Sequence, residues 1–273
     1  VDLYEKIDED QTFLLAQAVA FNAFVCVIPS FLVFIALFGF FFVSSRDALE
    51  RTMTYLRETM PLWDEAIVAN ITRVVDDRKV IGVVGFIGLF ITATRLFASA
   101  RTVLDIVFES PKRPGILHGK IIDVFLMVGV GSLFLLTLGV FWVASLVRSV
   151  GVRLTGVDLG AVGWVDHSVE VLIAFFFAVS AFFIVYRFGS HRKLHNRTAF
   201  SVSILAGLLW EMAKYVFGLY IAHLGNFNAT YGALGTFVGL ILWLYYAAIV
   251  FIIAGEIGYI HEKRRAEAYH TDG

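Results

Sequence analysis

Residues 14–43 read LLAQAVAFNAFVCVIPSFLVFIALFGFFFV, a stretch without a single charged side chain. A bilayer core about 30 Å thick is crossed by roughly 20 helical residues, so this stretch is long enough to span a membrane. Signal peptides have a shorter apolar region that follows positive charge, whereas residues 1–10 are acidic on balance. We therefore predict a retained membrane-spanning helix, in which Pro29 is expected to cause a kink.

Five further apolar stretches follow the first. The chain has 273 residues, of which 59% are hydrophobic and only 16% are charged, and its mean hydropathy is +0.78. Soluble domains are about 25% charged, so much of this apolar surface must face lipid. The predicted spans are residues 14–43, 80–97, 121–147, 169–186, 199–221 and 234–259.

The expected fold class is all-α. Backbone groups inside a bilayer must be hydrogen-bonded within their own segment, which favours helices, and no run of about 10 alternating residues suggests membrane strands. We predict a polytopic membrane protein, a six-transmembrane-helix bundle that forms a single integral membrane domain over residues 1–273. The composition argues against a disordered chain, a coiled coil, a disulfide scaffold and a basic nucleic-acid binder.

The connection over residues 44–79 differs from the spans. Apolar side chains recur there at helical spacing among Arg, Asp and Glu, which is typical of amphipathic helices. We expect an extramembrane segment that lies on the membrane or packs against the spans, with an independent binding surface as the alternative.

The distribution of basic residues predicts the orientation, because short cytoplasmic loops collect Lys and Arg. The two predicted outer short loops, residues 148–168 and 222–233, hold only Arg148 and Arg153. We therefore expect both termini in the cytoplasm of a bacterium, with the chain multi-pass in the inner membrane. The basic residues of the predicted inner segments are Lys6, Arg101, Lys112, Arg113, Lys120, Arg187, Arg192, Lys193, Arg197, Lys263, Arg264 and Arg265.

Charged residues within spans are costly, by about 3 kcal/mol on insertion scales, so each needs an explanation. Near span ends, Asp123 and Glu256 are expected to reach the membrane surface by snorkelling. Glu211 and Lys214 lie well inside the fifth span, three residues apart and therefore on one helix face. Two interpretations stay open, a self-neutralising structural pair or the polar centre of a substrate pathway.

Two other groups of residues are candidates for packing and lipid contact. Pro29, Gly232, Gly235 and Gly239 are assigned to helix packing, because small residues let helix backbones approach closely. Two basic pairs, Lys112–Arg113 and Arg192–Lys193, are candidates for binding anionic lipid headgroups. The alternative is that they only determine the topology.

Motifs for catalysis are absent from the sequence. His191 and His195 are four residues apart but have no acidic partner at metal-site spacing, and no phosphate-binding or nucleophile motif is found. The single cysteine, Cys26, supplies neither a disulfide nor a metal cluster. We expect no cofactor, no metal and no enzymatic activity.

Three stretches of the sequence resemble the YihY/BrkB family of bacterial inner-membrane proteins. The C-terminal stretch is the most specific, and the middle stretch departs by having Asp105 and Phe108 where the family usually has Asn and Trp. The resemblance implies six spans with cytoplasmic termini. The residues that carry it are Ala16-Gln17-Ala18-Val19-Ala20-Phe21 to Ile28-Pro29; Val103-Leu104-Asp105-Ile106-Val107-Phe108 with Lys112-Arg113-Pro114; and Glu211, Lys214, Phe217, Tyr220-Ile221, Tyr231-Gly232-Ala233-Leu234-Gly235, Leu242-Trp243-Leu244-Tyr245 and Gly255-Glu256-Ile257.

The leading functional hypothesis is a transporter or flippase-like exporter of an amphipathic or anionic envelope molecule. Glu211 and Lys214 would form its polar centre, with Asp105 and Glu256 near the cytoplasmic mouth. The alternatives are a non-transporting membrane organiser or assembly partner and a membrane-embedded enzyme. Some members of the resembled family carry a ribonuclease label, which the sequence does not support. Membrane lipids are the expected partners and nucleic acid is not, while a homo-oligomer stays open.

Overall fold

A computed structural model describes residues 3–42, 78–110, 115–155, 163–192, 194–223 and 233–271. These residues form helices and contain no strand, which confirms the all-α prediction. The predicted amphipathic segment lies outside the described residues except for Arg78 and Lys79, which begin a helix. The helices are α1 (Leu3–Glu9), α2 (Thr12–Phe42), α3 (Arg78–Val107), α4 (Ile116–Thr155), α5 (Gly163–Phe188), α6 (Asn196–His223) and α7 (Ala233–Thr271).

Helices α2 to α7 are long and apolar enough to cross a membrane, which confirms six spans. Most of them extend beyond the predicted apolar stretches, and α3 continues ten residues past Phe97. The reason is that its last turns are held by packing rather than by lipid, since Val103, Leu104 and Val107 are buried by protein. Elsewhere on the spans, large apolar side chains such as Phe21, Trp142 and Phe176 are exposed, as expected where a helix faces lipid.

Contacts divide the described chain into two compact units. The smaller unit covers residues 22–96 and pairs the later part of α2 with the earlier part of α3. Gly82, Gly85 and Gly88 on α3 face Ala36, Leu32 and Pro29 on α2, so the two helices run antiparallel. A methyl group added at Gly85 would lie 2.9 Å from Leu32 Cβ, which shows how closely the two backbones approach. These glycines were not identified from the sequence.

The larger unit contains residues 1–21 and 97–273. In it α4 packs on α5, α5 on α6, α6 on α7, and the short α1 on α7. Glycine again sets the closest contacts. A Cβ at Gly207 of α6 would lie 2.7 Å from Val179 on α5, and a Cβ at Gly258 of α7 would overlap Val202 on α6. All of the functional candidates discussed below, except Pro29, lie in this unit.

Candidate functional site

Asp105 connects the last turn of α3 to the turn that follows α5. Its carboxylate accepts hydrogen bonds from Ser190 Oγ at 3.1 Å and from the backbone N–H of His191 at 3.0 Å, and Nδ1 of His191 lies 2.9 Å from Oδ2. An ionised Asp105 has no proton to give, so His191 must carry its proton on Nδ1 in this contact. The carboxylate of Asp105, which was predicted to lie near the cytoplasmic mouth of the pathway, is thus already hydrogen-bonded by protein groups.

A buried ion pair joins α3 to α4. Arg101 donates from Nε to Asp123 Oδ1 at 2.8 Å and from Nη2 to Oδ2 at 3.3 Å, and Asp123 is fully buried. The guanidinium group passes over Gly119, where a Cβ would lie 2.9 Å from Nη2. The snorkelling interpretation of Asp123 is therefore wrong, because the protein itself supplies a bidentate partner.

The turn after α3 carries a second acidic side chain into the same region. Glu109 has a φ of 48°, and its N–H bonds to Ile106 while that of Ser110 bonds to Asp105, the pattern of a helix end with a left-handed residue. Glycine is the usual residue there because other side chains are strained in this conformation. The strain is offset by two contacts, since Tyr259 of α7 donates to Glu109 Oε2 at 2.6 Å and Lys6 Nζ lies 3.1 Å from Oε1.

Lys6 of α1 is the central cation of this region. Its side chain is only 2% exposed, and its Nζ lies 3.1 Å from Asp10 Oδ2 and 4.7 Å from the centre of the Tyr259 ring. Burial opposes the charge of Lys6, but hydrogen bonds to Glu109 and Asp10 outweigh it and raise the pKa of the ammonium group. The hydrogen bond from Tyr259 and the contact with Lys6 lower the pKa of Glu109, whereas burial raises the pKa of Asp10.

Glu256 of α7 is completely buried beside this group. Its Oε1 accepts a hydrogen bond from the Thr12 hydroxyl at the start of α2, and Thr12 is itself fully buried. Its Oε2 has no hydrogen-bond partner among the described residues. The snorkelling interpretation is wrong for Glu256 as well, since the side chain points into protein. We call the residues around these contacts the buried polar cluster, although Glu109 and Arg192 at its edge are exposed. Its members are Lys6, Asp10, Thr12, Arg101, Asp105, Glu109, Asp123, Ser190, His191, Arg192, Glu256 and Tyr259.

Glu211 and Lys214 form a separate ion pair on α6, with Lys214 Nζ 2.7 Å from Glu211 Oε1. The side chains are 27% and 40% exposed, respectively. Glu211 lies fifteen residues after the start of α6 at Asn196, which corresponds to about 22 Å along the helix axis. The first residue of α6 follows shortly after His191, which belongs to the buried polar cluster. The ion pair is therefore far along α6 from the cluster, and the structure does not bring it together with Asp105 and Glu256.

An apolar groove lies between α6 and α7, at the depth of the Glu211–Lys214 pair. Its volume is about 320 Å³. Phe217, one turn after Lys214, is part of its wall, so the groove lies next to the ion pair along α6. The lining side chains are Ala213, Val216, Phe217, Tyr220, Leu242 and Tyr246.

The other candidates from the sequence lie in the buried polar cluster, within helices, or outside the described residues. Arg192 donates from Nη1 to the carbonyl of Phe108 at 3.2 Å and lies 5.2 Å from the Tyr259 ring, so it belongs to the buried polar cluster. Gly235 and Gly239 lie in the first turns of α7, and Pro29 lies inside α2. Lys112, Arg113, Lys193 and Gly232 lie outside the described residues.

Sequence reasoning missed Glu109 and Tyr259, and treated Lys6 and Arg101 only as topology signals. Two spacings could have helped, since Lys6 with Asp10 and Arg101 with Asp105 are pairs of opposite charge four residues apart on a helix. Nothing comparable identifies Glu109 or Tyr259, whose contacts come from distant parts of the chain. In the part of the chain that the structure describes, no group of three His, Cys, Asp or Glu side chains is placed to hold a metal ion.

Comparison with known proteins places this architecture among membrane proteins. A family profile described as "Virulence factor BrkB" matches residues 3–273. A "UPF0761 membrane protein" from Pelodictyon phaeoclathratiforme is 26% identical over 268 residues, which cover 93% of this chain and 57% of that protein. Another UPF0761 membrane protein, from Pseudoalteromonas atlantica, is 23% identical over 90% of this chain and 80% of its own length.

A shorter match reaches a "Putative ribonuclease-like protein YfkH" from Bacillus subtilis, 29% identical over 52% of this chain. The chain spans little more than half the length of several of the curated relatives it matches. No solved structure matches it.

Proposed function

This chain belongs to the BrkB family of membrane proteins, and we propose that it carries an anionic, amphipathic molecule of the cell envelope across the bacterial inner membrane. The observation that carries this is the partly exposed Glu211–Lys214 pair inside the fifth span. A charge at membrane depth is costly unless it meets a partner or water. A pair with only a structural role is best shielded by neighbouring helices, whereas Lys214, the more exposed partner, is accessible to a ligand.

The neighbouring groove supports an amphipathic ligand rather than a free anion. Its wall is made of aromatic and aliphatic side chains, which suit an acyl chain. Lys214 stands one turn from Phe217 at the edge of that wall, so a negatively charged headgroup could meet the ammonium while the chain stays in the groove. Asp105 and Glu256 are held by protein contacts, and we assign them to the buried polar cluster at the mouth rather than to direct ligand contact.

We further propose that both termini lie in the cytoplasm, which rests on the distribution of Lys and Arg along the chain. The buried polar cluster would then be on the cytoplasmic side. A reporter that is active only in the cytoplasm, fused after Gly273, should be active. An activity seen only with an extracytoplasmic reporter would reverse the orientation.

The transport proposal is tested by reconstituting the purified chain in liposomes that contain a fluorescent phosphatidylglycerol with an NBD-labelled acyl chain. Dithionite added outside quenches only the outer leaflet, so movement from the inner leaflet appears as slow loss of the protected signal. The chain should accelerate this loss for phosphatidylglycerol more than for NBD-labelled phosphatidylcholine, because Lys214 favours a net negative headgroup.

Lys214→Met should slow the movement about tenfold or more, since a contact to a charged group contributes about 1.5–3 kcal/mol and each 1.4 kcal/mol corresponds to a factor of ten. Met212→Leu is the matched control, because Met212 is an exposed neutral side chain on the same turn. The double variant Glu211→Gln with Lys214→Met removes both charges and leaves none unpaired. If that variant folds and moves lipid at the wild-type rate, the pair is only structural and the proposal fails.

The alternatives predict different results in the same preparation. A membrane organiser moves neither lipid and co-purifies with a stable protein partner. We propose that the chain is not an enzyme; a ribonuclease would degrade RNA in a manner sensitive to chelators and indifferent to Lys214→Met.

A further inference from the structure

The charges around the junction of α1, α2 and α7 do not balance. Lys6 is the buried cation there, and it is shared between Asp10 and Glu109, both within 3.1 Å of its Nζ. Glu256 brings a third carboxyl group to the same junction and forms no ion pair with any described residue. Glu109 is 51% exposed and keeps its contact with water, whereas Asp10 is only 11% exposed and Glu256 is fully buried. Two poorly solvated carboxylates beside one ammonium leave a surplus of negative charge, which is strongly unfavourable.

The other ionisable groups near Glu256 do not neutralise it. From the turn after α5, Arg192 binds the Phe108 carbonyl and lies 5.2 Å from the Tyr259 ring. From α7 itself, Lys263 lies 5.9 Å from the same ring. From α5, the Tyr186 hydroxyl donates to the Phe251 carbonyl at 2.7 Å. Each of these groups is directed at another partner.

The hydrogen bonds of Glu256 fit a carboxyl group that holds a proton. Its Oε1 accepts from Thr12, and its Oε2 is sealed from solvent without any donor among the described residues. Burying an ionised carboxylate with one oxygen unpartnered costs far more than burying a neutral carboxyl group in the same place, so the protonated form is favoured. The other two acids of the junction each have Lys6, so the proton belongs on Glu256.

We propose that Glu256 is a proton-binding site, which takes up one proton from water and releases it to water when the start of α2 separates from α7. Uptake places the proton on Oε2 and leaves the Thr12 bond to Oε1 in place. Release creates a buried anion, which is stable only when water or another donor reaches Oε2. Proton binding therefore stabilises the closed contact between Thr12 and α7. Its use to drive transport rests on the proposed function above.

Infrared difference spectroscopy of the purified full chain in lipid nanodiscs reads the C=O stretch of a protonated carboxyl group directly. Titration between about pH 5 and 9 covers the range in which a buried carboxyl group loses its proton. Wild type should show such a band, which disappears as the pH rises, and Glu256→Gln should lack it. Glu211→Gln is the matched control, because it removes another carboxyl group of the spans and leaves Glu256 and Thr12 in place, so the band of Glu256 should remain. A full band in Glu256→Gln, or no titrating band in wild type, would overturn the proposal.

A second variant keeps the test decisive if Glu256→Gln does not fold. Thr12→Val removes the hydroxyl that donates to the carboxyl group, so the ionised form loses its one hydrogen bond. The midpoint of the band should move up by about one pH unit, because a lost bond to a charged group favours protonation. An unchanged midpoint in a folded Thr12→Val protein contradicts the assignment to Glu256.

Proton binding and transport can fail separately. Movement of NBD-labelled phosphatidylglycerol should depend on an imposed pH gradient in wild type and not in Glu256→Gln. If the band titrates but no lipid moves under any gradient, the proton site stands and the transport proposal fails. If lipid moves and no band titrates, only the proton site fails.

Discussion

The ion pair between Arg101 and Asp123 should be the most energetically coupled contact between α3 and α4. Asp123 is fully buried and receives both of its hydrogen bonds from Arg101. Arg101→Met removes them and leaves an uncompensated buried carboxylate, which costs about 3–5 kcal/mol. Asp123→Leu should cost less, about 1–2 kcal/mol, because Arg101 keeps Asp105 at 3.9 Å and a long side chain that can reach water.

The double variant, Arg101→Met with Asp123→Leu, should return to within about 1 kcal/mol of wild type, because neither partner then remains as an unpaired charge. The free energy of unfolding is measurable by SDS titration in mixed micelles, followed by the fluorescence of the five Trp residues. Lys120→Met, an exposed cation on α4, is the control and should change stability by less than about 0.5 kcal/mol.

A double variant as unstable as Arg101→Met would refute this reasoning. So would a coupling energy below about 0.5 kcal/mol, the level at which independent sites add. In that case the contact would be incidental, and packing around Leu104 and Leu126, both fully buried, would hold α3 and α4 in place.

Two further predictions use the same unfolding assay. Gly258→Ala should lose about 1–3 kcal/mol, since its methyl group overlaps Val202 and forces repacking, whereas Gly131→Ala, with nothing within 4 Å, should be neutral or slightly stabilising; equal effects would contradict the close approach of α6 and α7. Glu109 has a folded-state pKa below its ordinary value of 4.5, so the stability that it contributes is complete above that value and is lost as the pH falls through the folded-state pKa. Wild type should therefore lose more stability than Glu109→Gln on acidification below 4.5, and parallel curves would rule out this contribution.

Hydropathy was sufficient to predict the fold class and all six spans, because lipid exposure leaves long apolar stretches in the sequence. The ends of the helices were less predictable. Residues 98–107 contain Arg101 and Asp105, which end an apolar stretch in the sequence, although the helix continues because these charges find partners in the fold.

The candidate site was predictable only where charge interrupts an apolar stretch. Glu211 and Lys214 stand out on that criterion. Lys6 does not, because it lies in an acidic terminal sequence that gives no sign of burial. Its environment depends on Glu109, which lies 103 residues further along the chain. It also depends on Tyr259, which lies 150 residues after Glu109. Contacts of that separation leave no periodic signal in a single sequence.

The glycines that face α2 from the early part of α3 have a consequence for sequence variation. Gly82, Gly85 and Gly88 each lie where a methyl group would come within 3.3 Å of α2. Exposed positions between them, such as Val83, Val84 and Phe86, are free to exchange among apolar residues. In a saturation scan of this helix, substitutions should therefore be tolerated least at every third position, and least of all at Gly85. Nearly all apolar substitutions should be accepted at the positions between the glycines.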